Sequence, residues 1–200
     1  MAMRRAHRSI GVVLVMLVIA GIARAQAQTA EPIPPARHPD PEPQSRNGYP
    51  GSGSELQAGQ WKGGGGVGLL GSTPDGTAFA MNGNMDYFVN EHVSVGPLLQ
   101  VGVTGDMALV GLSGQGKYWI DLPGTSGRGK LALQSGIGFA HADFRQDDTS
   151  WLVPLGVGYD YTLESGTSLT ATALVNFTNL HTGFGSGADV MPGFTFGVRF

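Results

Sequence analysis

From Leu56 to the C-terminus, apolar residues recur at every second position, and this period constrains the chain more than any other feature. In the final segment Phe194, Phe196, Val198 and Phe200 share one face while Thr195, Gly197 and Arg199 share the other. Before it, Leu169, Ala171, Ala173, Val175 and Phe177 alternate with Thr170, Thr172, Leu174, Asn176 and Thr178. Successive side chains of a strand point to opposite faces, so a period of two is the signature of β-structure. The same pattern runs back through six further segments: about 57–70, 79–89, 93–103, 110–120, 131–139 and 151–163. Turn residues separate them, as at Ser72–Gly76, Asn90–His92, Thr104–Asp106, Pro123–Gly127, Arg145–Asp148, Glu164–Thr167 and a long stretch His181–Val190. No stretch carries helical periodicity. Eight strands with short connections predict an all-β, eight-stranded antiparallel up-and-down barrel over residues 56–200. Pro97 and Pro154 fall inside predicted strands and require bulges there, whereas Pro192 can begin the last strand.

Which face is wet follows from charge. Asp, Glu, Lys and Arg make up only 14% of the chain, while hydrophobic residues make up 41%. A soluble barrel would spread charge over about a quarter to a third of its surface. Here the less apolar face holds mainly Gly, Ala, Ser, Thr, Asn and Gln, which suit a narrow lumen. The apolar face carries Tyr87, Tyr118, Trp151, Tyr159, Tyr161, Phe194 and Phe200 toward predicted strand ends, where barrels in membranes bear aromatic girdles. After the N-terminal run described below, no run of 18 apolar residues exists, so a membrane span must be a closed barrel. The pattern therefore predicts a transmembrane barrel, with a soluble ligand-binding barrel as the alternative that charge disfavours.

Residues 1–27 read as a cleaved signal peptide. Arg4, Arg5 and Arg8 precede the uncharged, mostly apolar run Ile10–Ile22, and Ala23, Ala25 and Ala27 offer small residues at alternate places. Loss of residues 1–25 removes four of the 12 basic residues and leaves 8 against 15 acidic ones, a net charge of −7. That balance gives no reason to expect a nucleic-acid partner. Residues 28–55 hold seven of the 12 prolines and end in Gly51-Ser52-Gly53-Ser54, the composition of a disordered linker. Cysteine is absent, which excludes disulfides, thiol nucleophiles and Cys-ligated metal.

Charged positions on the lumen face are Asp86, Lys117, Asp160 and Arg199, with Lys62 a further candidate. A buried charge needs a partner. These residues are therefore expected to pair across the barrel and close it, since eight strands leave a lumen that side chains just fill; a narrow conductive path is the rival reading. His141, Asp143, Asp147 and Asp148 cluster near one predicted outer loop; a solvated loop is the simpler reading and a divalent-ion site the sharper one. Gly63–Gly68 lacks the Lys-Ser/Thr of a phosphate loop. No cofactor is expected.

Three stretches together resemble the small outer-membrane barrels of the OmpA-like/OmpX-like kind: Met85–Gly96, Leu155–Leu163 and Phe194–Phe200. The first is similar to that family's strand–short turn–strand, with an aromatic before the turn. The second resembles its Gly-x-Gly-x-x-Tyr strand. The third, with Phe194, Phe196, Val198 and Phe200, resembles the terminal signal read by the barrel-assembly machinery. The resemblance implies a monomer in the outer membrane of a Gram-negative cell, with membrane lipid and lipopolysaccharide around it. Its termini would lie in the periplasm, and its role would be structural or surface-directed rather than catalytic. Some such barrels are lipid A deacylases with His-x-Ser on the penultimate strand. Here His181 stands at the end of that strand but Gly183 holds the serine position, leaving Ser186 and Asp189 as the remaining candidates.

Overall fold

A computed structural model describes residues 56–183 and 187–200. Eight strands follow one another: β1 (Trp61–Thr73), β2 (Gly76–Asn90), β3 (Val93–Val103), β4 (Ala108–Asp121), β5 (Gly129–Asp143), β6 (Asp148–Thr162), β7 (Ser168–His181) and β8 (Gly187–Arg199). Each pairs antiparallel with its neighbour, and β8 returns to β1, so the sheet closes. Closure leaves no long edge to be satisfied. At the seam, Phe200 N–H donates to the Gly63 carbonyl at 2.9 Å, and Gly63 N–H donates to the Phe200 carbonyl at 3.1 Å.

Local chemistry sets the turns. Between β1 and β2 the chain reverses with Ser72 and Gly76 both at positive φ, and Thr73 Oγ1 donates to the Gly76 carbonyl at 2.8 Å. The longer connection from β4 to β5 is organised by Thr125. Its hydroxyl donates to the Leu122 carbonyl at 2.8 Å and accepts from Gly129 N–H at 3.0 Å. Gly124 and Gly127 supply positive φ on either side. The start of β1, the end of β8 and the β2–β3, β4–β5 and β6–β7 turns lie at one end of the barrel, here called the terminal end. The other four connections form the loop end.

Three expectations need correction. The last connection does not run from His181 to Val190: β7 extends to His181, β8 begins at Gly187, and His181 pairs with Gly187 and Leu180 with Ala188. A register shift between Phe177 and Leu180 permits this, and its break in alternation makes the stretch read as loop. Pro192 therefore sits inside β8, opposite Val175, and Phe194 lies mid-strand rather than at an end. Pro97 and Pro154 need no bulge. The β2–β3 ladder has the same register on both sides of Pro97, and the β5–β6 ladder on both sides of Pro154. Each proline stands at a gap in one ladder and pairs on its other side, Pro97 with Gly114 and Pro154 with Asn176. The missing donor thus faces a neighbour that is not asked to accept.

Side chains sort by parity as the alternation predicts, with charge inside and apolar groups outside. Ile137 is 73% exposed, Phe196 61% and Trp61 59%, while Asp86 is fully buried and Arg199 is 4% exposed. Aromatic groups on the outer face gather at the terminal end as Trp61, Tyr87, Tyr118, Tyr159 and Phe200, with the Trp61 and Tyr87 rings 5.2 Å apart. Phe79, Phe139 and Trp151 face outward nearer the loop end, the last two paired in register.

Candidate functional site

The lumen is filled in layers. At the loop end it holds an apolar cluster of Leu70, Leu109, Leu152, Leu180 and Met191 with Ala78, Ala80, Ala140, Ala142, Ala188 and Met107; Phe144 packs against it. Most of these residues have the inward parity of their strand. Leu180 and Met191 reach it on either side of the register shift in β7–β8. Alternation predicts small and polar lumen residues but not this plug, because the inward apolar positions are spread over seven strands and two turns.

Below the plug lies an amide layer. Gln100 and Asn176 exchange two hydrogen bonds at 3.1 and 3.0 Å, and Asn82 Nδ2 donates to Thr195 Oγ1 at 2.8 Å.

Toward the terminal end stand the four charges. Lys117 Nζ lies 2.8 Å from Asp86 Oδ2, with both side chains buried. Asn84 Nδ2 donates to the same oxygen at 2.7 Å, and Gln115 Nε2 reaches Asp86 Oδ1 at 3.5 Å. Arg199 and Asp160 form the second pair. The structure thus brings together the four lumen charges named from sequence, as two acid–base pairs. A cavity of about 30 Å³ touches Asn84, Lys117, Trp119, Asp160 and Arg199. That is room for one or two water molecules, and Arg199 Nε, buried against it, has no protein partner. Lys62 is half-buried on the same face, opposite Asp86 in register.

Trp119 forms the base of the charge layer. The guanidinium carbon of Arg199 lies 4.2 Å from its ring centroid, and its indole N–H donates to Ser94 Oγ at 2.9 Å. Phe88, fully buried, packs beside it with ring centroids 5.8 Å apart. A buried indole and a cation above its face each relieve the other's cost, since the ring attracts the charge and covers it from water. Trp119 has inward parity in the sequence, but nothing in the alternation marks it as the partner of Arg199.

The residues considered for catalysis lie elsewhere. His181 is exposed on the outer side of β7; its Nδ1 contacts the Asn179 carbonyl oxygen at 3.1 Å, and its backbone N–H donates to Asp148 Oδ2 at 2.6 Å. Asp189 is exposed at the register shift of β8. Ser186 lies outside the described residues. His141 Nδ1 contacts Thr149 Oγ1 at 2.8 Å. Among the described residues no three His, Asp or Glu side chains come together as a metal-ligating group. Of the terminal signal residues, Phe194, Phe196, Val198 and Phe200 all face outward.

No protein-family model matches the chain, and no curated protein matches it. Solved structures do. Neisserial surface protein A superposes with a TM-score of 0.53 at 18% identity, covering 70% of this chain and 94% of that one. The N-terminal β-barrel domain of Pseudomonas aeruginosa OprF aligns with a TM-score of 0.49 at 15% identity, covering 72% of this chain and 100% of that one. Ail, the attachment invasion locus protein of Yersinia pestis, aligns with a TM-score of 0.48 at 12% identity over 70% and 96% of the two chains. The closed eight-stranded antiparallel barrel is the fold shared with Neisserial surface protein A. At these identities the likeness concerns the fold, which is the one the sequence resemblance implied.

Proposed function

We propose that this chain is an integral outer-membrane protein whose barrel is closed to solutes and whose role is structural or surface-directed, without catalysis. One observation carries the reading: Asp86, Lys117, Asp160 and Arg199 pair inside the barrel, while large apolar side chains of all eight strands face outward. Water would reward the reverse arrangement and lipid rewards this one. The short connections add to it, because they leave little at the loop end that could project as an arm. In this reading residues 1–27 are the export signal, residues 28–55 a periplasmic segment, and the loop end faces outward. The partners are lipopolysaccharide and membrane lipid, together with the assembly machinery that reads Phe194–Phe200.

The test is to express the chain with residues 1–27, fractionate the envelope and run the outer-membrane fraction on a gel with and without heating. A heat-shifting band in that fraction is expected. A soluble periplasmic protein with no shift would overturn the reading in favour of a ligand carrier. Mass analysis of lipid A with the wild type and with His181→Ala and Ser186→Ala then tests catalysis. Unchanged lipid A in all three is expected, and a modification lost in either variant would make the protein a deacylase.

A further inference from the structure

Immediately before β1 the chain does something the barrel does not require. Gln57–Gln60 form a turn in which Gln60 N–H donates to the Gln57 carbonyl at 3.3 Å, and Gly59 adopts φ +83°. Two backbone bonds tie this turn to the end of β2: Gly59 N–H donates to the Phe88 carbonyl at 2.8 Å, and Phe88 N–H donates to the Gln60 carbonyl at 2.9 Å. The turn sends the preceding residue back into the barrel mouth. Leu56 is 5% exposed and packs with Phe88, Trp119 and Ala132, while Gln57, Ala58, Gly59 and Gln60 are all exposed.

We infer that residues 56–60 are a strap that seals the terminal end of the lumen with Leu56, and that pulling on the segment before Leu56 withdraws the seal. The sealing follows from the order of layers. Leu56 and Phe88 cover Trp119, Trp119 covers Arg199, and Arg199 holds Asp160. Water admitted at Leu56 therefore meets the base of the charge layer next. The withdrawal follows from connectivity. The described anchors of the strap are the Leu56 side chain and two backbone bonds to Phe88, whereas β1 is held along both edges by its ladders to β2 and β8. A load from the N-terminal side meets the strap first, and local openings start where few buried contacts oppose them. The seal itself does not depend on where the protein resides.

The chain has no cysteine, so a single substitution creates a single thiol. In the full chain folded in detergent, Leu56→Cys should react with a bulky maleimide about tenfold more slowly than Ala58→Cys, because labelling at position 56 needs the strap to open. Equal rates would overturn the seal. A second variant keeps the test independent of how cysteine packs. With Trp61→Phe and Trp151→Phe leaving Trp119 as the remaining tryptophan, Leu56→Asp should red-shift its emission and raise its quenching by acrylamide, with the heat-shifted band retained. Unchanged quenching would show that Leu56 does not guard Trp119. Single-molecule pulling from the N-terminus of the barrel in a bilayer should show a weak early release before β1 is extracted. That release should vanish in Leu56→Asp; a first event that already extracts β1 would overturn the withdrawal.

Discussion

Gln100 and Asn176 face each other across the lumen and satisfy one another with two hydrogen bonds of 3.1 and 3.0 Å. They belong to β3 and β7, which are not neighbours in the closed order of strands. The bond pair therefore spans the barrel, and both residues are buried. Replacing either one alone by leucine leaves a buried amide without its partner, which costs about 1–3 kcal/mol. Replacing both removes two polar groups together and costs less than the two single changes combined. Denaturant midpoints of the folded barrel for Gln100→Leu, Asn176→Leu and the double variant measure this coupling. Strictly additive losses would mean that the two amides do not support each other.

The Asp86–Lys117 pair follows the same logic at higher stakes. Lys117→Met strands a carboxylate that is wholly buried and that Asn84 and Gln115 also approach. Breaking one partner of a buried pair costs about 3–5 kcal/mol, whereas removing both charges in shape-conserving form is close to neutral. Lys117→Met should therefore lower the unfolding midpoint sharply, and Asp86→Asn added to it should restore most of the loss. No recovery in the double variant would argue that the two charges are held by other groups.

What the sequence makes legible is parity. The outward set Leu169–Phe177, or Phe194, Phe196 and Val198, reads directly because a sheet gives each residue one of two faces. Parity also places Asp86, Lys117, Asp160 and Arg199 inside, but it cannot pair them. Which carboxylate meets which cation depends on strand stagger around the closed sheet, a property of the whole circuit of ladders. Parity fails at the start of β8, where Ala188 and Met191 are buried with Asp189 and Val190 both exposed between them, and the strand there reads as loop. Proline misleads for a related reason. Pro97 and Pro154 are judged against two complete ladders, yet each stands where one ladder is interrupted. Alternation begins at Leu56 but does not mark it as a plug, since Leu56 precedes β1 and reaches Phe88 and Trp119 through a turn.

Two glycines should respond oppositely to alanine. A Cβ added to Gly96 would fall on the carbonyl oxygen of Met85, where β2 passes close to β3 at the gap beside Pro97. That clash is with backbone, so it cannot be relieved by a rotamer change, and Gly96→Ala should cost about 1–3 kcal/mol or more. Gly114 has nothing within 4 Å of its would-be Cβ. Gly114→Ala should be neutral or stabilising by up to about 1 kcal/mol, as the unfolded chain loses freedom. Refolding yield and unfolding midpoint compare the two, and equal effects would contradict the close approach at Gly96.

Ile137 decides between lipid and water most directly. It is the most exposed of the large outward apolar residues at 73%, and it lies near the middle of β5, between Gly129 and Asp143. On a soluble barrel an exposed isoleucine can become arginine with a change within about 0.5 kcal/mol. On a membrane barrel the same substitution near the bilayer midplane costs about 2–4 kcal/mol. The cost falls toward the interfaces, so Leu133→Arg and His141→Arg along the same strand should trace a profile with its maximum near Ile137. Folding free energies measured in phospholipid vesicles read that profile. A flat profile, with all three variants as stable as the wild type, would mean that the apolar face of this barrel does not lie against lipid.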